Sequence, residues 1–259
     1  MDGMFNVASL TEGQFSAVYN ILSFGFASML ATTVFLYISQ ARVLPKYRQA
    51  IAISATVTLI ALYHYWRIFD SFVAAGETGA TFNEAYRYVD WLLTVPLLLL
   101  ETIAVLNLAS GERKHLVSRL VPASALMIIL GYPGEITAEV GPKMVWGALS
   151  TIPFLYILYI LFVELTKSLA GQPGQVAATV ARLRLLLIAT WGVYPISYLL
   201  PVIMGADAAG GATAFVGRQV GYTIADVLAK CLFGLTIYKI ARLKSAADDS
   251  SYAAAEGIH

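Results

Sequence analysis

Seven runs of apolar residues, each about long enough to cross a lipid bilayer, dominate this sequence and leave few folds open to it. A spanning helix needs about 20 predominantly apolar residues. Such runs fall at roughly 14–39, 47–73, 83–108, 116–134, 143–168, 178–204 and 217–243. Within hydrocarbon every backbone polar group must find its partner inside the structure, so isolated runs of this length are helices. The connections are short and carry turn residues: AAGETGA (74–80), LASGERKH (108–115), GYPGE (131–135) and GQPGQ (171–175). The expected fold is an all-α membrane protein, a seven-transmembrane-helix bundle in one domain over 1–245, with a flexible C-terminal tail at 246–259. No internal repeat is evident, which disfavours an inverted-repeat transporter.

Composition narrows the function. With 58% hydrophobic and 13% charged residues, the chain is too apolar for an ordinary soluble domain, and its net charge of +1 gives no footprint for a nucleic-acid partner. The single cysteine, Cys231, cannot form an internal disulfide. No metal-binding or hydrolase motif such as H-E-x-x-H or G-x-S-x-G occurs, so neither a metal site nor an enzyme is expected. Loops one, three and five and the C-terminal junction carry Arg42, Lys46, Arg48, Arg113, Lys114, Arg119, Lys167, Arg182, Arg184, Lys239, Arg242 and Lys244. The other loops offer only Lys143 and Arg218. The positive-inside rule then places the N-terminus outside and the C-terminus in the cytoplasm of a multi-pass protein of the plasma membrane. The opening MDGMFNVASLTEGQ lacks a basic n-region, so the first span is expected to insert directly, without a cleaved signal peptide.

The informative residues are the charges inside these spans. His64, Arg67 and Asp70 fall in the second, Arg87, Asp90 and Glu101 in the third, and Asp226 and Lys230 in the seventh. Arg67 and Asp70 are close enough to a helix end to snorkel. Asp90, Asp226 and Lys230 lie deeper, where an ionised group costs roughly 2.5–3.5 kcal/mol on insertion scales, so a functional role is the default hypothesis. At about 100° per residue, Asp226 and Lys230 (i, i+4) share one face of the seventh helix. Arg87, Asp90 and Thr94 stack at i, i+3 and i+7 on the third, and Glu101 returns to nearly the same face about 16 Å from Asp90. A cation and two carboxylates can therefore meet mid-membrane. A purely structural salt-bridge network is the competing reading, but buried pairs stabilise poorly and that reading leaves the isolated Glu101 unexplained. Titratable groups spaced along one helix read more naturally as a proton relay.

Three separated motifs resemble one family. GYTIADVLAKCLFG (221–234) resembles the last helix of the microbial (type 1) rhodopsins, RYVDWLLTVPLLLLE (87–101) their third helix, and WGVYP (191–195) with Tyr198 the aromatic wall of their sixth. The similarity runs through all seven spans and is nearest in flavour to the proteorhodopsin and xanthorhodopsin group of bacterial proton pumps. It implies that Lys230 carries all-trans retinal as a Schiff base, with Asp90 as proton acceptor, Asp226 as second counterion and Glu101 as proton donor. The apolar neighbours of Glu101 should keep it neutral in the dark, since burial disfavours the charged form. The resemblance further implies that His64, in YHYWRIF (63–69), partners Asp90, that Thr94 helps position the acceptor, and that Arg87 screens it and gates the exit. Trp91, Trp191, Tyr194, Pro195, Tyr198 and Leu98 are then the expected lining of the retinal pocket, with Pro195 kinking helix six. Leucine at position 98 resembles the green-absorbing form.

Two positions stand out within that resemblance. Gly147, in WGALSTIPF (146–154), falls where xanthorhodopsin-like sequences carry glycine in place of a large aromatic, which implies a window through which a xanthophyll carotenoid could act as antenna. The alternative is that glycine simply permits close helix packing. Arg218 stands eight residues before Asp226, where bacteriorhodopsin-like pumps carry a glutamate of their release group; that departure argues for late proton release. The function so implied is a light-driven outward proton pump transporting H+, embedded in membrane lipid and assembled as a homo-oligomer, a trimer or pentamer. The alternative is a photosensory retinal receptor signalling through a transducer. Chloride and sodium pumps of the same fold replace the acceptor or donor carboxylate, whereas Asp90, Thr94 and Glu101 are all present here.

Overall fold

The computed structural model describes residues 5–106, 108–137, 139–169, 174–204 and 211–258, with Ser168 described by its backbone alone. Seven helices are long and apolar enough to span a membrane: α1 (Glu12–Ser39), α2 (Pro45–Thr78), α3 (Ala85–Leu106), α4 (Ser110–Ile136), α5 (Val140–Leu169), α6 (Gly174–Ile203) and α7 (Ala212–Asp248). No strand occurs among the described residues. Several helices outrun the apolar runs that announce them: α2 continues to Thr78 and α7 to Asp248. Hydropathy marks only the part of a helix that lies in hydrocarbon, and its polar ends protrude. The expected turn at 171–175 falls partly outside the described residues, as does most of the α6–α7 connection.

Local chemistry sets the helix ends. Thr11 and Gln14 form a capping box that opens α1. Pro45 at the first position starts α2, where its missing N–H costs nothing, and Gly79, at φ 70°, ends it. The side chain of Asn83 accepts the Ala85 N–H at the start of α3. Consecutive helices pack side by side, and α7 closes the bundle against α1, α2, α3 and α6. At one end Lys244 of α7 donates to the last carbonyls of α3, Val105 at 3.0 Å and Leu106 at 3.1 Å, satisfying groups the helix leaves without partners.

Two helices depart from regular α geometry. α6 breaks at Gly192 and resumes at Val193. Pro195 has no N–H for the Trp191 carbonyl, so the interruption sits one turn before the proline, as its chemistry requires. α7 widens to a π-helix over Val227–Leu232, the turn that carries Lys230. No proline or glycine in that stretch signals the change; π turns of this kind recur at functional sites.

The C-terminal stretch, expected as a tail, carries secondary structure of its own. Residues Ser250–Glu256 form a short helix, α8, capped by Asp249 and ended by Gly257 at φ 62°. Glu256 binds both Arg42 and Arg242 at 2.7 Å, and the Tyr252 hydroxyl donates to the Arg42 carbonyl. The small, polar composition misleads here because a few specific contacts, rather than an apolar face, hold the helix.

Candidate functional site

The π turn of α7 delivers the Lys230 amine, 2% exposed, into the space between α7 and α3. There Nζ donates to Asp226 Oδ1 at 2.8 Å and to Asp90 Oδ2, so the cation is bracketed by two carboxylates, as the helical register predicts. The two anions differ sharply in their surroundings. Asp226 Oδ1 also accepts the Tyr194 hydroxyl at 2.7 Å and the Trp91 indole N–H at 3.1 Å, while its Oδ2 accepts the Tyr65 hydroxyl at 2.8 Å. Arg87 Nη1 stands 3.5 Å from the same oxygen. Asp90 has Lys230 on one oxygen and no hydrogen-bond partner on the other, Oδ1.

Arg87 and Thr94 bond to groups other than the Asp90 carboxylate, whereas His64 does face it. Arg87, buried one turn from Asp90, pairs with Asp226, Tyr65 and Gln219 rather than screening Asp90, because its long side chain reaches across to α2 and α7. The Thr94 hydroxyl donates to the Asp90 backbone carbonyl at 2.8 Å, the usual i−4 bond of a helical threonine, so it anchors the helix turn and leaves the carboxylate alone. His64 faces Asp90, its Nδ1 3.6 Å from Oδ1, and the same nitrogen lies 3.0 Å from the Ile60 carbonyl. Glu101 lies apart, fully buried on the same helix; neither carboxyl oxygen has a hydrogen-bond partner, and Ser54 of α2 is its polar neighbour.

A cavity of about 260 Å³, with Lys230 in its lining, lies between α3, α4, α5, α6 and α7. Its lining includes Trp91 and Leu98 from α3, Trp191, Tyr194, Pro195 and Tyr198 from α6, and Gly147 from α5. Its wall reaches the outer surface of the bundle at α5, since the lining residue Met144 is 44% exposed and Ala148 and Thr151, which also line it, are exposed too. Gly147 has a packing reason as well: a Cβ there would come within 2.8 Å of the Tyr198 ring. One primary amine in the wall of an apolar, aromatic-lined cavity, flanked by two carboxylates, fits an apolar aldehyde able to condense with that amine.

Sequence reasoning missed a set of residues beyond Arg87. Tyr65 is masked by its neighbour His64; Lys143 reads as a loop cation, and Arg218, notable in the sequence only for its place before Asp226, reads as one too, although both are buried, at 0% and 4% exposure. Glu84 and Glu135 near helix ends look like ordinary surface acids in the sequence, yet they are 7% and 5% exposed and partner Arg218. The one available signal was the excess itself: a lysine and an arginine at the poorly charged end of the bundle, with two acids near them.

A seven-helix membrane protein built around a buried lysine between two aspartates, opening on an apolar slot, is the class this fold and site define. Residues 16–243 match the family model for bacteriorhodopsin-like proteins. The chain is 31% identical over 218 residues to the green-light absorbing proteorhodopsin of Gamma-proteobacterium EBAC31A08, covering 83% of this chain and 82% of that protein. It is 30% identical over 240 residues to the bacteriorhodopsin of Halobacterium salinarum, covering 91% and 88%. Among solved structures, xanthorhodopsin, a light-driven ion pump with dual chromophore, superposes with a TM-score of 0.85 at 48% identity over 92% of this chain and 97% of its own. The chain belongs to the bacteriorhodopsin-like family.

Proposed function

We propose that this protein is a light-driven outward proton pump that holds retinal on Lys230. The observation that carries the reading is the asymmetry between the two aspartates around one buried amine. Retinal, when bound, supplies light absorption and an isomerisation that reorients the Lys230 nitrogen. The residues of this chain then decide where its proton goes. Asp226 already holds donors from Lys230, Trp91, Tyr194 and Tyr65, so a proton arriving there would displace one of them. Asp90 has an oxygen without a donor, with the His64 imidazole 3.6 Å away, and accepts the proton at lower cost. Arg87 stays with Asp226 and keeps that carboxylate an anion.

Glu101 is suited to return a proton to the Lys230 nitrogen from the opposite side. It is wholly buried, with no paired cation among the described residues and Ser54 as its polar neighbour, and a carboxylate there would carry most of the cost of an unpaired buried charge. The neutral acid carries no such cost and has a proton to give. Transport is outward if the α2–α3 end of the bundle faces outside. The connections at that end, 79–84, 137–139 and 204–211, contain no Lys or Arg, while Arg42, Lys46, Arg113 and Lys114 cluster at the other. The open cavity wall at Gly147 supports a carotenoid lying on α5 as a second chromophore. The pump reading is tested with retinal-supplied expressing cells in unbuffered medium: illumination should acidify the medium and a protonophore should abolish the signal. Alkalinisation on illumination, or no light response, would contradict it.

A further inference from the structure

Between Arg87 and the α2–α3 loop lies a second buried charge cluster that the proton route above leaves unused. Arg218 of α7 is at its centre. Its Nη2 donates to Glu84 Oε1 at 2.8 Å, and its Nη1 stands 3.2 Å from Glu135 Oε1. The hydroxyls of Tyr88 and Tyr222 donate to Glu135 Oε2 at 3.2 and 3.1 Å. Gln219 joins this cluster to the aspartates: its Nε2 donates to Glu84 at 3.3 Å and its Oε1 accepts Arg87 Nη2 at 2.9 Å. Lys143 adds a second cation, donating to the Gly134 carbonyl at 3.0 Å beside Glu135 and lying over the Tyr198 ring.

A buried cluster of this kind is a poor way to gain stability, because desolvation cancels most of the attraction. Its placement suggests another use. Glu84 and Glu135 are the next carboxyls beyond Asp226 and Arg87 toward this end of the bundle, and Gln219 links them to that arginine by hydrogen bonds. Two carboxylates thus meet on one guanidinium, with the Lys143 amine close by, a balance of two anions against two cations. Burial pushes the Glu84 carboxyl up and the adjacent Arg218 guanidinium opposes that push. Without the guanidinium, two like charges in one dry site would share a proton instead.

We propose that Glu84 and Glu135 form the exit relay that receives the proton leaving Asp90, and that Arg218 sets the timing of release by keeping this pair free of protons until then. Arg218 is thus a positioning residue, acting through the two glutamates. The inference rests on the pump reading above.

The test is flash photolysis of the purified, retinal-loaded protein with a pH-indicating dye, alongside continuous-light pumping in vesicles. The unmodified protein should take up a proton before it releases one. Arg218→Gln should reverse that order, Arg218→Lys should restore it, and adding Glu84→Gln to Arg218→Gln should remove the early release. An Arg218→Gln protein that pumps but keeps the original order would overturn the timing role. Infrared difference spectra of the unmodified arginine protein supply a second readout that does not depend on that variant. A transient carboxylic-acid band should appear during release and vanish in Glu84→Gln or Glu135→Gln; a spectrum without one overturns the relay. Absence of pumping by the unmodified protein would instead remove the pump reading, and this inference with it.

Discussion

Hydrogen-bond supply separates three carboxyls that look alike in the sequence. Asp226 is ringed by donors, Asp90 has one oxygen bonded and one not, and Glu101 has neither. Spacing alone placed Lys230 between the two aspartates, because positions i and i+4 on one helix and a single inward face on another leave little freedom. It could not assign Arg87 to Asp226, since a long side chain chooses among partners on other helices. Glu101→Gln tests the donor role. Its dark absorption should match the parent, with reprotonation of the Lys230 nitrogen slowed by roughly 10²-fold, the scale expected when a positioned acid is lost. Unchanged flash kinetics would take Glu101 out of that role.

Helices carry the next level of information, and here the sequence is uneven. The seven spans and the break of α6 follow from apolar run length and from Pro195, both local properties. The π turn at Val227–Leu232 does not, since VLAKCL holds no proline or glycine to mark it. Arg218 and Lys143 show the same limit: charge counting puts them outside, whereas packing of α7 and α5 draws them in. On α5 the glycine window makes a prediction. Gly147→Trp should push against Tyr198, since even a Cβ would stand 2.8 Å from that ring, and should close the cavity wall. Energy transfer from an added xanthophyll, read in the excitation spectrum, should occur in the parent and disappear in this variant. No transfer in the parent would reject the antenna.

At the scale of the molecule, α8 docks at one end of the bundle, where its Glu256 ties Arg42 of the α1–α2 junction to Arg242 of α7. The Arg42 guanidinium bonded to Glu256 holds its carboxyl below the ordinary glutamate range. A depressed value means that this docking is fully present above about pH 4.3, the ordinary glutamate value, and is lost as pH falls through the lowered one. A spin label at Ala255→Cys, with Cys231 buried and unreactive, should therefore gain mobility on acidification. Constant mobility across that range would mean that other contacts hold α8. Composition gave no hint of this helix, because two arginines far apart in sequence create its binding place.

Vectorial transport depends on which carboxyl first takes the proton from the Lys230 nitrogen. Light-driven current across vesicles containing the Asp90→Asn protein, compared with the parent and read together with the visible spectrum, tests that point most directly. Loss of sustained current together with a shifted absorption band is the predicted result. Undiminished current with an unshifted band would contradict the assignment of Asp90 as first acceptor.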